Sequence, residues 1–252
     1  MGQRESIRRN LIALGDDSPD QDLTPRKLRR LVGRKERAAF LAGQVELPSK
    51  FTVKCCDFRE NGIESGSVDF TYVDPDWGDP WKKNRLDFAR ENFRILRPGG
   101  VACYYFGHQQ MLDFADLLRS VGFLYRWTVA MVNVEENVGS CSYFGSMLSM
   151  WRPVLIFQKG GPGLRTVKML GDVFRTEDRD KSMHRWTQSV GEAVHLIAGL
   201  TRNGSTIADL NCCTGTSGVA SAIVGSRTYH GVEIEEDLCR LARSRIAGAL
   251  RK

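Results

Sequence analysis

The chain has 252 residues, 42% of them hydrophobic, and its 36 Lys and Arg against 30 Asp and Glu give a formal net charge of +6. This composition supports a buried core and excludes a largely disordered chain. No apolar run reaches the ~18 residues of a membrane span, and the basic N-terminus lacks the apolar segment of a secretory signal. We therefore expect a soluble, cytoplasmic protein. The positive charge suits a polyanion but is also common in proteins that bind no nucleic acid.

The seven cysteines occur without any C-x-x-C pair. That spacing argues against a zinc site and against a disulfide framework, so no metal is predicted. It fits reduced thiols in a cytoplasm.

The first 50 residues are polar and basic, and residues 24–43 have the apolar spacing of a helix. Two interpretations stay open for this segment. It is either a solvated basic helix that packs along one edge, or an arm that contacts phosphates. We treat residues 1–50 as an extension to a domain over residues 51–252.

Residues 51–159 alternate between strand and helix patterns, which predicts a parallel sheet with helices on its faces. The predicted strands are Val68–Val73 and residues 101–107, 125–132 and 151–157, and the predicted helices are residues 84–100, with a Pro-Gly-Gly stop, and 110–123.

Residues 184–252 contain a strand-loop-helix-strand unit preceded and followed by a helix. Val190, Val194, Ile197 and Leu200 mark one face of the first helix. A strand at 206–210, a loop of small residues at 211–218, a helix at 219–225, a strand at 228–234 and a helix at 235–250 follow.

This unit has the features of a nucleotide-cofactor site. The strand ends near Asp209, the turn contains Gly215 and Gly218, and Glu233 follows about twenty residues after the loop. Small residues let a cofactor approach the backbone, and an acid at that position accepts both ribose hydroxyls. The dinucleotide pattern G-x-G-x-x-G is absent. The alternative is a tight turn of an α/β sheet that binds nothing.

The stretch "TYVDPDWGDPW" at residues 71–81 repeats an acid, a proline and an aromatic residue. The first copy, Asp74-Pro75-Asp76-Trp77, follows a strand directly and so lies at the carboxyl edge, where open α/β sheets place ligands. The second copy, Asp79-Pro80-Trp81, has no strand before it and is expected inside the loop. The first copy is therefore the catalytic candidate, in which Trp77 offers a face for stacking a planar substrate.

"VDFTYVDPDWGDPW" resembles the aspartate-proline-proline-aromatic loop of amino-group DNA methyltransferases. "IADLNCCTGTSGVASAIVGSRTYHGVEIEEDLCRLARSRI" resembles their S-adenosylmethionine-binding segment, and "HRWTQSVGEAVHLI" resembles the segment before it. "RILRPGGVACYYFGH" and "WRPVLIFQKG" are similar to their intervening strands. The catalytic loop precedes the cofactor loop, as in the circularly permuted β class. Asp76 stands in place of the second proline of the motif.

The resemblance implies an α/β, Rossmann-like, mostly parallel sheet of seven strands whose final strand is antiparallel, with a catalytic half at 51–159 and a cofactor half at 184–252. It implies S-adenosyl-L-methionine as cofactor and methylation of an exocyclic amino group, adenine favoured over cytosine, on a base flipped from double-stranded DNA. RNA remains an alternative substrate. A non-catalytic relative that binds nucleic acid or a partner subunit is the alternative function.

The resemblance also assigns residue roles. Asp74 and the carbonyl of Pro75 would accept hydrogen bonds from the target amine, beside Asp76 and Trp77. Among cofactor residues, Asp209 would hold the methionine amino group, Gly215 and Thr216 the methionine part, and Glu233 the ribose, with Gln188, Asn211 and Ser217 nearby.

Two further residues have open interpretations. Asp57 matches an acid near the cofactor adenine but could equally be a turn acid, and His184 is more typical of a structural or surface histidine. Residues 132–150 are the expected substrate-facing insertion. Because this insertion is short for a recognition domain, specificity could be loose or supplied by a homodimer or partner subunit.

Overall fold

The computed structural model describes residues 37–38, 45–75, 79–133, 143–144, 147–176, 184 and 187–251. Of the predicted basic helix, only residues 37–38 fall within these ranges, and they are helical. Most of the predicted insertion at 132–150 lies outside them, as do Asp76 and Trp77 of the first motif copy.

The described elements follow one another in the order strand, helix, strand through most of the chain. The strands are β1 (Phe51–Cys55), β2 (Val68–Val73), β3 (Leu96–Tyr105), β4 (Phe123–Asn133), β5 (Tyr143–Phe144), β6 (Met147–Leu148), β7 (Trp151–Lys159), β8 (Val173–Thr176), β9 (Thr206–Asp209) and β10 (Thr228–Glu233). The helices are α1 (Asp79–Ile95), α2 (Met111–Val121), α3 (Val190–Leu200), α4 (Thr216–Val224) and α5 (Glu236–Leu250), with a short 3-10 helix at Phe58–Glu60.

The main sheet has the strand order β1-β10-β9-β2-β3-β7-β4-β8. In the part of the sheet formed by β1, β10, β9, β2 and β3, each strand is parallel to its neighbours. In contrast, β7 is antiparallel to both β3 and β4. The expected mostly parallel α/β sheet is confirmed, but its antiparallel strand is β7 and not the final described strand β10, which is parallel to both of its neighbours. The expected number of seven strands is wrong, because β8 adds an eighth strand parallel to β4 in the described sheet. Its four residues were too few and too polar to show a strand pattern.

Both faces of the sheet are buried, which explains the long apolar runs of its central strands. In β3, Val101, Cys103 and Tyr105 face one core, and Ala102 and Tyr104 face the other. Helices α3, α4 and α5 cover the first core, and α1 and α2 cover the second. Among the described helices, none combines the length and the apolar character that crossing a membrane requires.

Two predicted boundaries change around α1. The helix begins at Asp79, so the second motif copy forms its first turn instead of lying in a loop. Proline is well suited to that turn, because the helix needs no N–H there. The Pro-Gly-Gly stop lies inside β3, where the pairing with β2 shifts between Val68↔Leu96 and Phe70↔Val101. A Cβ on Gly100 would lie 2.9 Å from Arg97 O, so this bulge requires glycine.

Candidate active site

The candidate site lies at the carboxyl ends of β2 and β9, which are adjacent and parallel. From β9 the chain enters α4 on one face of the sheet, and from β2 it continues to α1 on the other. The helices that follow the two strands therefore cover opposite faces of the sheet at this point. Open α/β sheets bind ligands at such topological switch points.

Asp209 ends β9 and is 4% exposed. Its Oδ2 accepts a hydrogen bond from Ser217 Oγ at 2.5 Å, and its Oδ1 accepts one from the backbone N–H of Asn211 at 3.2 Å. Burial raises the pKa of Asp209 to about 7; the two hydrogen bonds oppose the shift, and the charges of Asp74 and Glu233 add to it. The carboxylate is thus poised to change its protonation state near neutral pH.

Glu233 ends β10 and binds the loop that follows β9. Its Oε2 accepts from the backbone N–H of Cys213 at 2.8 Å. Its Oε1 accepts from the N–H groups of Ile234 at 2.8 Å and Glu235 at 3.1 Å. The carboxylate therefore fixes the shape of the loop in addition to any contact with a ligand.

The loop between β9 and α4 packs tightly against α5. Gly215 has φ +75°, and a Cβ there would lie 2.8 Å from Ala242 Cβ. At the start of α4, a Cβ on Gly218 would likewise lie 2.5 Å from Ile246 Cδ1 of α5. Cys213, at φ 48°, adopts the left-handed conformation without being glycine. The backbone of this loop is consequently held in one strained shape.

The first two residues of α4 point to different partners. Ser217 Oγ lies 2.9 Å from Tyr229 OH besides donating to Asp209. Thr216 Oγ1 donates to the backbone oxygen of Gln188 at 3.5 Å. Both side chains thus connect the cofactor loop to its surroundings.

Asp74 follows β2, and it is held by two residues distant in sequence. Its Oδ2 accepts from Gln188 Nε2 at 2.6 Å. Its backbone oxygen accepts from Asn211 Nδ2, also at 2.6 Å. Pro75 is buried beside it. The structure therefore brings Asp74, Pro75, Gln188, Asn211 and Asp209 together at the switch point.

The remaining predicted residues lie farther from this group or outside the described chain. Asp57 caps the 3-10 helix through the N–H of Arg59 and also pairs with the Arg59 guanidinium at 2.9 Å. This is the turn geometry that the sequence left open. His184 Nδ1 lies 3.7 Å from Cys213 Sγ. Asp76 and Trp77 keep their predicted roles as predictions.

Sequence reasoning missed a buried ion pair beside the site. Arg152 Nη2 lies 2.9 Å from both carboxylate oxygens of Glu192, which is 0% exposed on the first turn of α3. Arg152 Nη1 donates to Gln188 Oε1 at 2.5 Å. The signal was an arginine within an apolar strand and a glutamate within an apolar helix face, since buried charges require partners.

No protein-family model and no curated protein matches the chain. Solved structures do match. M1.HpyAVI in complex with S-adenosylmethionine aligns at a TM-score of 0.65 and 16% identity, over 78% of this chain and 99% of that one. TTHA0409 of Thermus thermophilus, complexed with S-adenosyl-L-methionine, gives 0.60 and 18%, over 79% and 95%.

The cytosine-N4-specific PvuII DNA methyltransferase aligns at a TM-score of 0.60 and 14% identity, over 82% of this chain and 95% of that one. At these identities the similarity defines the fold. The chain therefore has the α/β fold of a DNA methyltransferase and of two proteins solved with S-adenosylmethionine.

Proposed function

We propose that the chain is an S-adenosylmethionine-dependent DNA methyltransferase that acts on an exocyclic amino group, with adenine favoured over cytosine. One observation carries the proposal. Asn211 donates from its side chain to the backbone of Asp74 and from its own N–H to Asp209. The acid expected to meet the target amine and the acid expected to meet the cofactor are thus joined through one residue.

The residues present fit this cofactor. Asn211 Oδ1 is buried and accepts no hydrogen bond from the described residues, so it offers an acceptor near Asp209. Together they would hold the ammonium of the methionine part. A carboxylate offers about four acceptor sites. Because Glu233 uses three for backbone N–H groups, one remains for a ribose hydroxyl.

The bound cofactor would supply an electrophilic methyl group on a sulfonium. The amine of adenine or cytosine is a poor nucleophile, because its lone pair is delocalised into the ring. Hydrogen bonds from this amine to the Asp74 carboxylate and to the Pro75 carbonyl would localise that lone pair. They stabilise the tetrahedral nitrogen of the transition state and position it for attack.

A cysteine nucleophile is not needed for this chemistry, and the cysteines at the site are poor candidates for one. Burial raises the pKa of Cys213 to about 12, with the charge of Glu233 adding to the shift. Burial likewise raises the pKa of Cys212 well above its usual range. Both thiols are therefore protonated at neutral pH, whereas the reactive form of cysteine is the thiolate.

The proposed substrate is a base flipped out of duplex DNA, at a cost of a few kcal/mol. Stacking on Trp77, worth about 1–3 kcal/mol, would offset part of it. The order of β2 before β9 along the chain supports assignment to the circularly permuted β class. Asp57 and His184 have lower priority as cofactor residues, since Asp57 already pairs with Arg59.

The test measures cofactor binding first and methyl transfer second. We expect S-adenosylmethionine to bind in titration calorimetry, and labelled methyl groups to reach unmethylated duplex DNA. Digestion to nucleosides should identify N6-methyladenine, while N4-methylcytosine would correct the choice of base. Parallel reactions with RNA test the substrate class. Failure to bind S-adenosylmethionine would overturn the proposal.

A further inference from the structure

A chain of hydrogen bonds extends from the outer strand β8 to Asp74. Thr176 Oγ1, at the end of β8, donates to Glu192 Oε1 at 2.5 Å. Arg152 then connects Glu192 to Gln188, and Gln188 Nε2 donates to Asp74 Oδ2 at 2.6 Å. The residues come from β8, α3, β7 and the segment before α3, so four parts of the fold meet at one carboxylate.

The chemistry of these groups fixes the orientation of the Gln188 amide. A guanidinium can only donate hydrogen bonds, so the atom of Gln188 that faces Arg152 must be its oxygen. The amide nitrogen must then face Asp74, where a carboxylate can accept from it. Arg152 therefore selects the one amide orientation in which Gln188 serves as a donor to Asp74.

The ion pair holds Arg152 in place for this purpose. Burial has the largest single effect on the pKa of Arg152 and would lower it, but Glu192, Tyr105 and Asp74 together outweigh burial and raise the pKa above its usual value. Arg152 also stacks over Tyr105, 5.5 Å from the ring centre. Ser189 caps α3 through the N–H of Glu192, which places the glutamate on the first turn. Contacts other than those with Asp74 thus hold Arg152 and Glu192 in position.

We propose that Gln188 and Arg152 are positioning residues that set the orientation of the Asp74 carboxylate toward the target amine. This inference rests on the proposed function. It assigns the Gln188 side chain to Asp74, in place of the cofactor contact that the sequence resemblance implied. The neutral amide holds Oδ2 by a single hydrogen bond and leaves the carboxylate its full charge. A guanidinium in the same place would pair with both oxygens and neutralise them.

The first experiment replaces Gln188 with leucine. We expect kcat for methyl transfer to fall about 10- to 100-fold, because the carboxylate loses its alignment. The dissociation constant of S-adenosylmethionine should change less than about twofold on this view. A fall in cofactor affinity with kcat retained would overturn the inference, since it would return Gln188 to the cofactor.

A matched control lies at the opposite end of β7. Gln158 accepts a hydrogen bond from Arg126 Nε at 2.8 Å, as Gln188 does from Arg152, but it lies opposite Val101, where the pairing of β3 with β7 begins. Gln158→Leu removes the same type of contact at the far edge of the sheet. We expect it to lower the melting temperature and to leave kcat per folded molecule unchanged. An equal loss of kcat in both variants would overturn the inference.

The second experiment is Gln188→Glu. This variant keeps an oxygen that accepts from Arg152, but it replaces the amide N–H group that donates to Asp74 with a carboxylate oxygen. When the introduced carboxyl group is protonated, it can donate to Asp74 again. We therefore expect the kcat of this variant, relative to wild type at the same pH, to recover as pH is lowered. Among the described residues, the charged groups near position 188 and Asp74 are Arg152, Glu192 and Asp209. A ratio that does not vary with pH would contradict a positioning role.

Wild-type activity separates the two levels of failure. A wild-type chain that transfers no methyl group overturns the proposed function and this inference with it. An active wild type, together with a Gln188→Leu variant of unchanged kcat, overturns the inference alone.

Discussion

The two loops of the candidate site are held in different ways. The loop after β9 is fixed by partners near it in sequence: Asp209 contacts Asn211 and Ser217, two and eight residues away, and Glu233 contacts Cys213, 20 residues away. Asp74, the first residue after β2, has partners that are distant in sequence. Asp74 contacts Gln188 and Asn211, which lie 114 and 137 residues away.

The contacts of the loop after β9 are therefore mostly local in sequence, whereas those described for Asp74 come from distant segments. The loop after β9 takes its contacts mainly from the β9-α4-β10 unit and from α5. Asp74 binds residues 114 and 137 positions away, so we expect its geometry to depend more strongly on distant parts of the fold. Changes in the cofactor half should therefore reach the catalytic loop, and changes at Asp74 should leave the cofactor loop intact. Variants at both loops test this asymmetry.

The largest expected effect is that of Asp74→Ala. Methyl transfer should fall by about 10²–10³-fold or more, the loss typical of removing a group that stabilises the transition state. The affinity for S-adenosylmethionine should stay within about twofold, since the cofactor loop does not depend on Asp74. Single-turnover kinetics and calorimetry measure the two quantities.

Asp79→Ala is the matched control, because Asp79 belongs to the second motif copy and begins α1. We expect its activity to match that of wild type. Activity lost with Asp79→Ala and kept with Asp74→Ala would reverse the assignment of the two copies.

Glu233→Ala should act on cofactor affinity. Loss of a charged hydrogen bond costs about 1–3 kcal/mol, which is about 5- to 150-fold in the dissociation constant. The melting temperature should also fall, because three backbone N–H groups lose their acceptor. Glu235→Ala removes an exposed carboxylate two residues after Glu233, and it should change neither the cofactor affinity nor the melting temperature. Unchanged affinity in a folded Glu233→Ala variant would show that this unit has been misread.

Asp209 predicts a pH dependence of cofactor binding. Its pKa of about 7 means that the carboxyl is mostly protonated below neutrality. Because the cofactor ammonium requires the carboxylate, the affinity should rise about tenfold per pH unit up to pH ~7 and then level off. Calorimetry from pH ~5.5 to ~8.5 measures this profile. Asp209→Asn should bind more weakly and with a flat profile, and a flat wild-type profile would contradict the role.

The same pKa has a consequence for the stability of the chain without cofactor. Since the folded-state pKa of Asp209 lies above the value of about 3.9 of an unfolded aspartate, the folded state binds the proton more tightly. Its stabilising contribution is complete below that unfolded value and is lost as pH rises through about 7. The melting temperature of wild type, relative to that of Asp209→Asn, should therefore decrease as pH rises through about 7.

The smallest effect is expected for Asn211→Leu, which breaks the link between the two loops. One hydrogen bond contributes about 1 kcal/mol, so kcat and cofactor affinity should each fall about fivefold. Ser221→Ala, which removes a hydroxyl bonded within α4, is the control and should change neither. Because Asn211 Oδ1 is also proposed to contact the cofactor, kcat is the test of the link, and an unchanged kcat in Asn211→Leu would show that the loops are uncoupled.

Sequence reasoning succeeded where one unit has one pattern. Val68–Val73 was predicted with its observed bounds, and the strands and helices of the cofactor half differ from prediction by a few residues at most. Their apolar spacing is unambiguous because both sheet faces are buried. The α/β class and the position of Asp74 at the carboxyl end of a strand followed from the same patterns.

The failures occurred where tertiary contacts decide. Leu96 to Gly100 looked like a helix end, but pairing with β2 makes it a bulged strand. The pairing of Arg152 with Glu192 joins residues 40 positions apart, and no local pattern reports it. Asp57 is a different case, because the sequence left its role open and its carboxylate binds Arg59, only two residues away. In the first two cases the deciding partner lay outside the local pattern from which the prediction was made.

Because β7 is antiparallel to β4, the segment that connects these two strands can be exchanged without changing the sheet. Because Val132 pairs with Trp151, both ends of the connection between β4 and β7 emerge at the carboxyl edge of the sheet, the edge on which Asp74 also lies. A parallel strand would need its connection to return across the whole sheet. Here the connection can be lengthened for only about 0.6 kcal/mol per doubling of its length. Sequence preference could therefore evolve, or be grafted, at residues 134–150 while the eight-stranded sheet stays unchanged.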